Sequence, residues 1–311
     1  MFEFIDSQSD EAIIKVVGIG GAGIGIIEQV MRDSVDGVHY IVVDTDPQVL
    51  ARVNANCALL LDGESNGSDS HVEVAELISQ ADSEKLRTLL AGTDMVFIIA
   101  GMAETIATQI AAVAAEVAQQ MGILTVAMAL DPCTVESEQP MITARQQSAK
   151  IFRHADTLFT LSGGAHRGEE GHGATNAAIA IRGIVELISR PGLINVDMEE
   201  LRAVMAGMGQ AMVGMGTAFG DDRAEQAVKR AIHGLSAAEG ELARASGILV
   251  NITSDFDMTI EEFEAVGNAV KAQAAEHATV IVGSVIDPEM QGGLRVTLVA
   301  TGTLKNAVGV A

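Results

Sequence analysis

A cluster of glycines lies at residues 18–23, directly between a continuous apolar run at 12–18 and a helical pattern. Glycine at such a junction permits a tight turn and lets the backbone come close to a bound phosphate. Further apolar runs, each an expected strand, lie at 38–43, 57–61, 94–100, 122–129 and 157–161, with helical stretches between them, notably 103–120. Unbroken apolar strands that alternate with helices are typical of a sheet covered on both faces. The sequence therefore predicts an α/β fold with a doubly wound parallel sheet.

The second half of the chain has a different pattern. A long helix is predicted over 174–189, where a Pro-Gly pair gives a normal stop signal, and another helix over 197–212. Strands are predicted at 213–219, 247–253, 279–286 and 294–302, with helices at about 221–233 and 259–275. This pattern predicts a smaller α+β domain with about four strands. The expected divisions are a first domain at 1–173, a central helix and loop at 174–196, and a second domain at 197–311.

The charge of the chain excludes two classes of partner. Its 311 residues include 19 basic and 42 acidic side chains, a formal net charge of −23. Nonspecific binding to nucleic acid needs basic side chains for the phosphates, and an anionic membrane surface repels such a chain.

Three features of the sequence bear on its location. No apolar run is long enough to span a bilayer, the N-terminus lacks a signal-peptide pattern, and two cysteines fit a reducing compartment. We therefore expect a cytoplasmic protein.

The glycine cluster also satisfies the pattern G-x-G-x-x-G between a strand and a helix. Asp44 follows about twenty residues later, at the end of the second predicted strand, where a dinucleotide site places the acid that binds ribose. The pattern is compatible with a phosphate or nucleotide site, including one for a nicotinamide dinucleotide. The alternative is that the glycines only permit a tight turn between strand and helix.

Other candidates have mainly structural interpretations. Asp197 and Glu200 have the spacing of an N-cap and an N3 residue in an acidic capping box. The methionines at 205, 208, 212 and 215 have the spacing of an apolar stripe on one helix. The histidines and glutamates of the glycine-rich stretch 162–173 favour a solvated loop, so no metal ligands are assigned.

Longer stretches of the chain carry a resemblance to a known family. They are IKVVGIGGAG (14–23), VDTDPQVL (43–50), DMVFIIAGM (94–102), GIVELISRPGLINVD (183–197), VMAGMGQAMVGMG (204–216), GDDRAEQAVKRAI (220–232), GILVNIT (247–253) and VIDPEMQGGLRVTLVATG (285–302). In this order and approximate spacing they resemble the FtsZ family, the bacterial homologues of tubulin, over nearly the whole chain. This resemblance outweighs the dinucleotide interpretation.

The resemblance implies a tubulin/FtsZ-like fold, with a Rossmann-like GTP-binding domain, a central helix and a C-terminal activation domain. It also implies head-to-tail filaments, in which a loop of one subunit closes the nucleotide pocket of the next and activates water for hydrolysis. The implied residues for GTP or GDP, with Mg²⁺ where a nucleotide binds, are Gly20, Gly21, Ala22, Gly23, Asp46, Gly101, Thr108, Pro132 and Glu136. The implied catalytic residues of the trans-acting loop are Asn195, Asp197 and Glu200.

The chain departs from the family where phosphate should bind. The family run GGGTGTG is AETIATQ at residues 103–109, so that only Thr108 is kept and Glu104 adds a negative charge. Asp44 replaces the usual Asn, and the Arg expected a few residues after Glu136 is missing. Side chains in place of glycine keep the backbone away from a phosphate. We therefore expect a filament-forming protein with weak, altered or absent GTP binding.

Two alternatives remain open at this point. The chain could be an active GTPase of the cell-division type that uses Asp197 and Glu200, or a regulator that caps or copolymerises with an orthodox FtsZ. No counterpart of the family's C-terminal tail peptide, which docks on membrane tethers, is found, so direct membrane binding is not expected. The net charge further predicts that self-assembly strengthens when salt screens the repulsion between subunits.

Overall fold

A computed structural model of the chain describes residues 12–32, 35, 37–53, 55–61, 79–131, 153–162, 172–235 and 242–303. Its strands are β1 (Ile14–Ile19), β2 (Val38–Asp44), β3 (Cys57–Leu60), β4 (Met95–Gly101), β5 (Leu124–Asp131), β6 (Thr157–Ser162), β7 (Gly209–Phe219), β8 (Gly247–Ser254), β9 (Thr279–Ile286) and β10 (Gly293–Thr301). Its helices are α1 (Gly20–Arg32), α2 (Pro47–Leu50), α3 (Gln80–Leu90), α4 (Thr105–Gln120), α5 (His172–Ser189), α6 (Met198–Met205), α7 (Arg223–Gly234) and α8 (Ile260–Lys271). Short 3₁₀ turns lie at Leu242–Arg244 and Pro288–Met290.

The strands of the first half form a parallel sheet in the order β3-β2-β1-β4-β5-β6. Strand β4 is buried at every position, and its successive residues belong to different cores: Phe97 packs in the cluster on one face and Ile98 in the cluster on the other. Helices therefore cover both faces, as unbroken apolar strands require. The predicted doubly wound α/β sheet is confirmed.

The second half continues the same sheet through β7, β10, β8 and β9. Strand β10 is antiparallel to β7 and β8, whereas β9 is parallel to β8. A third apolar cluster lies between these strands and helices α7 and α8. Strand β7 also pairs with β6 from Thr157↔Gly209 to Phe159↔Ala211, so the four-stranded part is joined edge to edge to the parallel part. The predicted domain boundaries themselves stay predictions.

One sequence prediction in this region is wrong. The helix expected over 197–212 ends at Met205, and the strand expected from 213 begins at Gly209. Gly207 and Gly209 have φ angles of +65° and +78°, a conformation that ends a helix and that glycine adopts without strain. Because Met212 and Met215 lie on β7, the four methionines do not share one helical face.

Two glycines within β7 allow a helix to pack closely on this strand. A Cβ atom on Gly214 would collide with the backbone of Ala231, and one on Gly216 with that of Ala227. Helix α7 therefore lies directly on the backbone of β7. No helix in the described part of the chain is long and apolar enough to cross a membrane.

Candidate functional site

A cavity of about 380 Å³ lies at the carboxyl edge of the parallel sheet, where β1, β2 and β4 end. This edge is where open α/β sheets bind their ligands. The described residues that line it are Gly20, Asp44, Thr45, Glu104, Thr105, Ile106, Ala107 and Ile110. They include two carboxylates and no basic side chain. The cavity therefore favours a neutral or cationic occupant over an anionic one.

Helix α1 begins at Gly20, which has a φ of +69° and lines the cavity. Gly23 of the cluster and Gly101 of β4 allow the helix to pack tightly against the sheet. A Cβ on Gly23 would collide with the carbonyl oxygen of Ile99, and one on Gly101 would lie 2.8 Å from Ala22 Cβ. Gly23 and Gly101 therefore have a packing role, and the open first turn around Gly20 is the part that faces a ligand.

The side chain of Glu104 lies over this first turn. A Cβ built on Gly20 would collide with Glu104 Oε2, and one built on Gly21 would lie 3.6 Å from Glu104 Oε1. The first turn of a helix attracts anions because its N–H groups lack helical partners and carry the positive end of the helix dipole. The position expected for a phosphate is thus next to a carboxylate that belongs to the protein.

Thr108, the one residue that the signature run keeps, is almost fully buried, with 1% of its surface exposed. Its hydroxyl group lies 2.9 Å from the carbonyl oxygen of Glu104 and 3.3 Å from that of Gly101. The side chain therefore fastens the first turn of α4 to the end of β4. Thr105, Ile106 and Ala107, which stand where the family has glycine or threonine, line the cavity instead.

The acids that follow β2 have different surroundings. The Asp46 side chain accepts a hydrogen bond from the Gln48 N–H at 2.8 Å and caps α2. The Asp46 N–H donates to Asp44 Oδ1 at 2.9 Å. Asp44 lines the cavity, as its position after the second strand predicted, so it adds negative charge beside Glu104.

The loop that follows α5 holds the three candidate trans-acting residues. Asn195 Oδ1 accepts from the Gly192 N–H at 2.9 Å. Asp197 and Glu200 form the predicted capping box of α6. The loop is also pinned to β9, because Ile194 and Ser284 exchange two hydrogen bonds of 3.0 and 2.9 Å. The loop is therefore a rigid element whose polar side chains are already engaged within the chain.

This loop and the cavity lie at opposite edges of the sheet. Arg202 of α6 donates to the carbonyl oxygens of Asp94 at 3.3 Å and Gly122 at 3.1 Å, which precede β4 and β5. The cavity lies beyond the other end of β4, a strand of seven residues that spans about 20 Å. One chain therefore cannot bring its own loop to its own cavity. Arg202 carries no sequence signal beyond its position in a predicted helix.

A buried ionic cluster fixes the end of α5 next to the loop. The Glu186 carboxylate, 4% exposed, lies 3.3 Å from Arg295 of β10 and 3.5 Å from Arg190. Burial raises the pKa of Glu186 and lowers the pKa of Arg295, although each group attracts the other. The loss of hydration thus exceeds the gain from pairing. The cluster joins α5 to β10 through Glu186 and Arg295.

Some predicted residues lie outside the described part of the chain. Pro132 and Glu136, expected near the ribose, are among them, as is nearly all of the glycine-rich stretch 162–173. Within the described ranges, no group of three His, Cys, Asp or Glu side chains is placed to hold a metal ion.

Two family models match the chain: "Tubulin/FtsZ family, GTPase domain" over residues 13–165 and "FtsZ family, C-terminal domain" over 209–304. The cell division protein FtsZ of Buchnera aphidicola subsp. Schizaphis graminum is 39% identical over 97% of this chain and 82% of that protein. The cell division protein FtsZ of Coxiella burnetii is 40% identical over 99% and 83%. An empty FtsZ dimer from M. jannaschii has a TM-score of 0.81 at 31% identity, covering 95% of this chain and 89% of that one. CetZ2 from Haloferax volcanii shares the fold, with a TM-score of 0.71 at 19% identity over 93% and 92%.

Proposed function

Because the chain belongs to the FtsZ family of cell-division proteins, we propose that it is a cytoskeletal protein that assembles head to tail into filaments without needing GTP. The observation that carries this proposal is the lining of the cavity, in which Asp44, Glu104 and the side chains of 105–107 take up the phosphate region. The chain would divide into a first domain at 1–173, a central helix and loop at 174–196 and a second domain at 197–311. Asn195, Asp197 and Glu200 would lie on the surface that meets the next subunit.

Electrostatics explains why a triphosphate is disfavoured. At about 5 Å, two like charges repel by about 3 kcal/mol at an effective dielectric constant of 20. Glu104 and Asp44 each face the cavity, and no basic side chain among its described lining offsets them. A triphosphate multiplies this cost. Mg²⁺ would enter the site only together with a nucleotide.

The arrangement of the two edges supports head-to-tail stacking. Because the loop at 190–197 and the cavity lie at opposite edges of one sheet, a second copy stacked in the same direction brings its loop to the first copy's cavity. Head-to-tail contacts between copies that all point in the same direction do not form a closed ring, so they generate an open filament.

The loop edge also exposes apolar side chains that an interface would bury. Ile286 N–H donates to Pro191 O and Asp287 N–H to Ser254 O, so the turn after β8 lies beside the loop. Phe256 in that turn is 75% exposed and Ile260 71% exposed. Exposed large apolar groups of this kind mark surfaces that bind protein.

Two measurements on the wild-type chain test the proposal. Titration calorimetry with GTP and GDP in Mg²⁺, together with extraction of nucleotide from the purified protein, measures binding. Sedimentation and negative-stain microscopy, with GTP, with GDP and with neither, measure assembly. We expect affinities weaker than micromolar and equal amounts of polymer in all three conditions. Micromolar GTP affinity, stoichiometric bound guanine nucleotide, or polymer that forms only with GTP would contradict the proposal.

Mixing with a second protein gives a further test of the proposed function. We propose self-association as the main activity, with neither nucleic acid nor a lipid surface as partner, because the net charge is −23. Mixing with an orthodox FtsZ should leave the polymer mass of that protein unchanged. A substoichiometric loss of that mass would favour a capping regulator instead.

A further inference from the structure

We propose that the outer edge of β9 is a second self-association surface, on which the β9 strands of two copies pair antiparallel about a two-fold axis at Ile281. Such a contact goes beyond the proposed function, because it joins two copies edge to edge and does not involve the cavity. The occupant of the edge is a second copy of this chain.

Strand β9 is the last strand of the ten-stranded sheet, so β8 pairs with only one of its edges. The Thr279 N–H donates at 2.9 Å to the carbonyl oxygen that precedes β8, so the odd-numbered residues of β9 bond towards β8. On the other edge, the Ser284 N–H donates to Ile194 O at 2.9 Å. The Ile286 N–H donates to Pro191 O at 3.2 Å. Because backbone groups alternate along a strand, the even-numbered residues face the outer edge.

Val280 and Val282 are the even-numbered residues that remain. Within the described part of the chain, no hydrogen bond joins their N–H and carbonyl groups to a partner on this edge. Their side chains are only partly buried. The open stretch, residues 279–283, measures about 16 Å and lies between the loop at Ile194 and a turn at 275–278. The edge is therefore a short slot with two unused donors and two unused acceptors.

Strand β9 lacks the features that usually protect a sheet edge. Natural edge strands are blunted by charged side chains, proline, bulges or short length. The sequence of β9, TVIVGSVI, has eight residues without charge or proline, and its register with β8 is unbroken. The strand at the opposite edge, β3, has four residues. A long, uncharged edge without a bulge readily accepts a further strand.

The charge of the chain favours a second copy as that strand. With a formal net charge of −23, a foreign partner chosen by charge would be basic and would contact acidic side chains. Strand β9 offers none. Two copies of so acidic a chain can approach each other most closely where neither carries charge, and β9 is such a surface.

The unused groups of β9 also match those of a second copy. In an antiparallel pair centred on Ile281, Val280 of each copy lies opposite Val282 of the other, and each of these pairs exchanges two N–H···O bonds. All the unused donors and acceptors of both copies are then satisfied. Ile281 lies opposite its own counterpart, in the kind of pair whose side chains come closest.

The two neighbouring registers are blocked by hydrogen bonds within the chain. A pair centred two residues later would need the Ser284 N–H, which donates to the loop at Ile194 O. A pair centred two residues earlier would need the Ala278 N–H, which donates to Ala275 O at 3.0 Å. The register centred on Ile281 is therefore the one that the slot fits.

Cysteine cross-linking tests this register. In a chain with serine at both native cysteines, Ile281→Cys places two thiols opposite each other across the two-fold axis. Thr279→Cys is the matched control on the same face of β9, because it lies opposite Gly283 of the second copy and its two thiols are about 13 Å apart. With copper phenanthroline and air as the oxidant, we expect about tenfold more disulfide-linked dimer from Ile281→Cys. Circular dichroism of both reduced variants verifies that they fold.

Hydrogen exchange of the wild-type chain gives a second readout without any substitution. Mass spectrometry with single-residue resolution compares dilute with concentrated protein. We expect the N–H groups of Val280 and Val282 to exchange at least about tenfold more slowly in the concentrated sample, because pairing gives them acceptors. Ser284 and Ile286, already bonded to the loop, are internal controls and should be protected in both samples.

Three results would overturn the inference. Two of them are equal cross-linking of the two cysteine variants and exchange at Val280 and Val282 that does not depend on concentration. The third is protection of these two amides that appears only after a different protein is added, since it would assign the edge to that protein.

Failure of this contact can be distinguished from failure of the proposed function. Both measurements are repeated in Phe256→Glu, which removes an exposed aromatic side chain from the loop edge and so weakens head-to-tail contact. If wild type forms filaments without GTP but neither readout responds, only the β9 contact fails. If wild type forms no filaments and Ile281→Cys still cross-links, the proposed function fails and the β9 contact stands.

Discussion

Asp197 and Glu200 cap helix α6 reciprocally. Asp197 Oδ1 accepts from the Glu200 N–H at 2.8 Å, and Glu200 Oε2 accepts from the Asp197 N–H at 3.1 Å. These are also the residues that the resemblance to FtsZ assigns to the trans-acting loop. A substitution at either position therefore changes the stability of the loop as well as any chemistry, and experiments must separate the two.

Substitution of Asp197 by Ala and by Asn separates them. Asn keeps an oxygen that can accept from the Glu200 N–H, whereas Ala removes the cap. We expect Asp197→Ala to lower the free energy of unfolding by about 1 kcal/mol and Asp197→Asn to lower it by less than about 0.5 kcal/mol. Urea unfolding followed by circular dichroism measures both. Equal losses for Ala and Asn would show that the side chain does not act as a cap.

Arg223 should contribute far more to stability than a typical surface charge. Its guanidinium, buried at the start of α7, donates to Glu262 at 2.6 Å, to Asp257 at 2.8 Å and to the carbonyl oxygen of Gly292 at 2.9 Å. Arg223→Ala removes these three bonds, although Asp257 stays half exposed to water and Glu262 keeps its bond from the Thr259 N–H, so we expect a loss of about 2 kcal/mol in urea unfolding.

Lys229→Ala on the same helix is the control for Arg223. Lys229 pairs with Glu225 at 2.5 Å, but both side chains are exposed. Exposed pairs of this kind contribute little to stability because water screens them. Similar losses for Arg223→Ala and Lys229→Ala would contradict the assigned role of the buried cluster.

The same cluster predicts a pH dependence. Hydrogen bonding to Arg223 lowers the pKa of Glu262 below its ordinary value of 4.5. The ionised form is favoured by folding, so the stabilisation is fully present above pH 4.5 and is lost as the pH falls through the lower pKa of the folded state. Glu262→Gln should therefore flatten the fall in melting temperature below pH 5 or so. An unchanged slope in that variant would exclude Glu262 as a cause of acid destabilisation.

Much of the fold could be predicted because local patterns and tertiary structure agree. Unbroken apolar runs gave the parallel strands, and the strand at 279–286 was predicted with the bounds that the structure has. The prediction failed at 197–212, since the methionine spacing imitates a helix while Gly207 and Gly209 adopt positive φ. A single sequence does not reveal which glycines take that conformation.

The sequence predicted which residues lie at the candidate site but not how their side chains are arranged in space. The sequence placed Asp44 and the glycine turn at one edge, and both line the cavity. It also identified the charge of Glu104 as unfavourable for phosphate. The contact between Glu104 and Gly20 could not be predicted, because it joins segments far apart in the chain and depends on the rotamer of one side chain.

Phe256 should be a major contact in self-assembly. Large aromatic side chains that are exposed in a monomer and buried in an interface often contribute 2 kcal/mol or more. We expect Phe256→Glu to raise the critical concentration for sedimentation by at least about tenfold, since 1.4 kcal/mol is a factor of ten. Met215→Glu, at a 39% exposed position in the middle of β7 and so away from both edges of the sheet, is the control and should assemble normally. Equal assembly of both variants would exclude the surface around Phe256 from the interface.

Salt should strengthen assembly. Each subunit carries a formal net charge of −23, so subunits repel one another until ions screen them. The screening length falls from about 30 Å at 0.01 M salt to about 8 Å at 0.15 M, whereas burial of Phe256 and Ile260 does not depend on charge. We therefore expect the sedimented fraction to rise between about 0.01 and 0.15 M KCl. Choline chloride at the same ionic strength should give the same curve, because screening depends on ionic strength and not on the identity of the cation. A sedimented fraction that falls with salt would mean that attractive charge pairs dominate the interface.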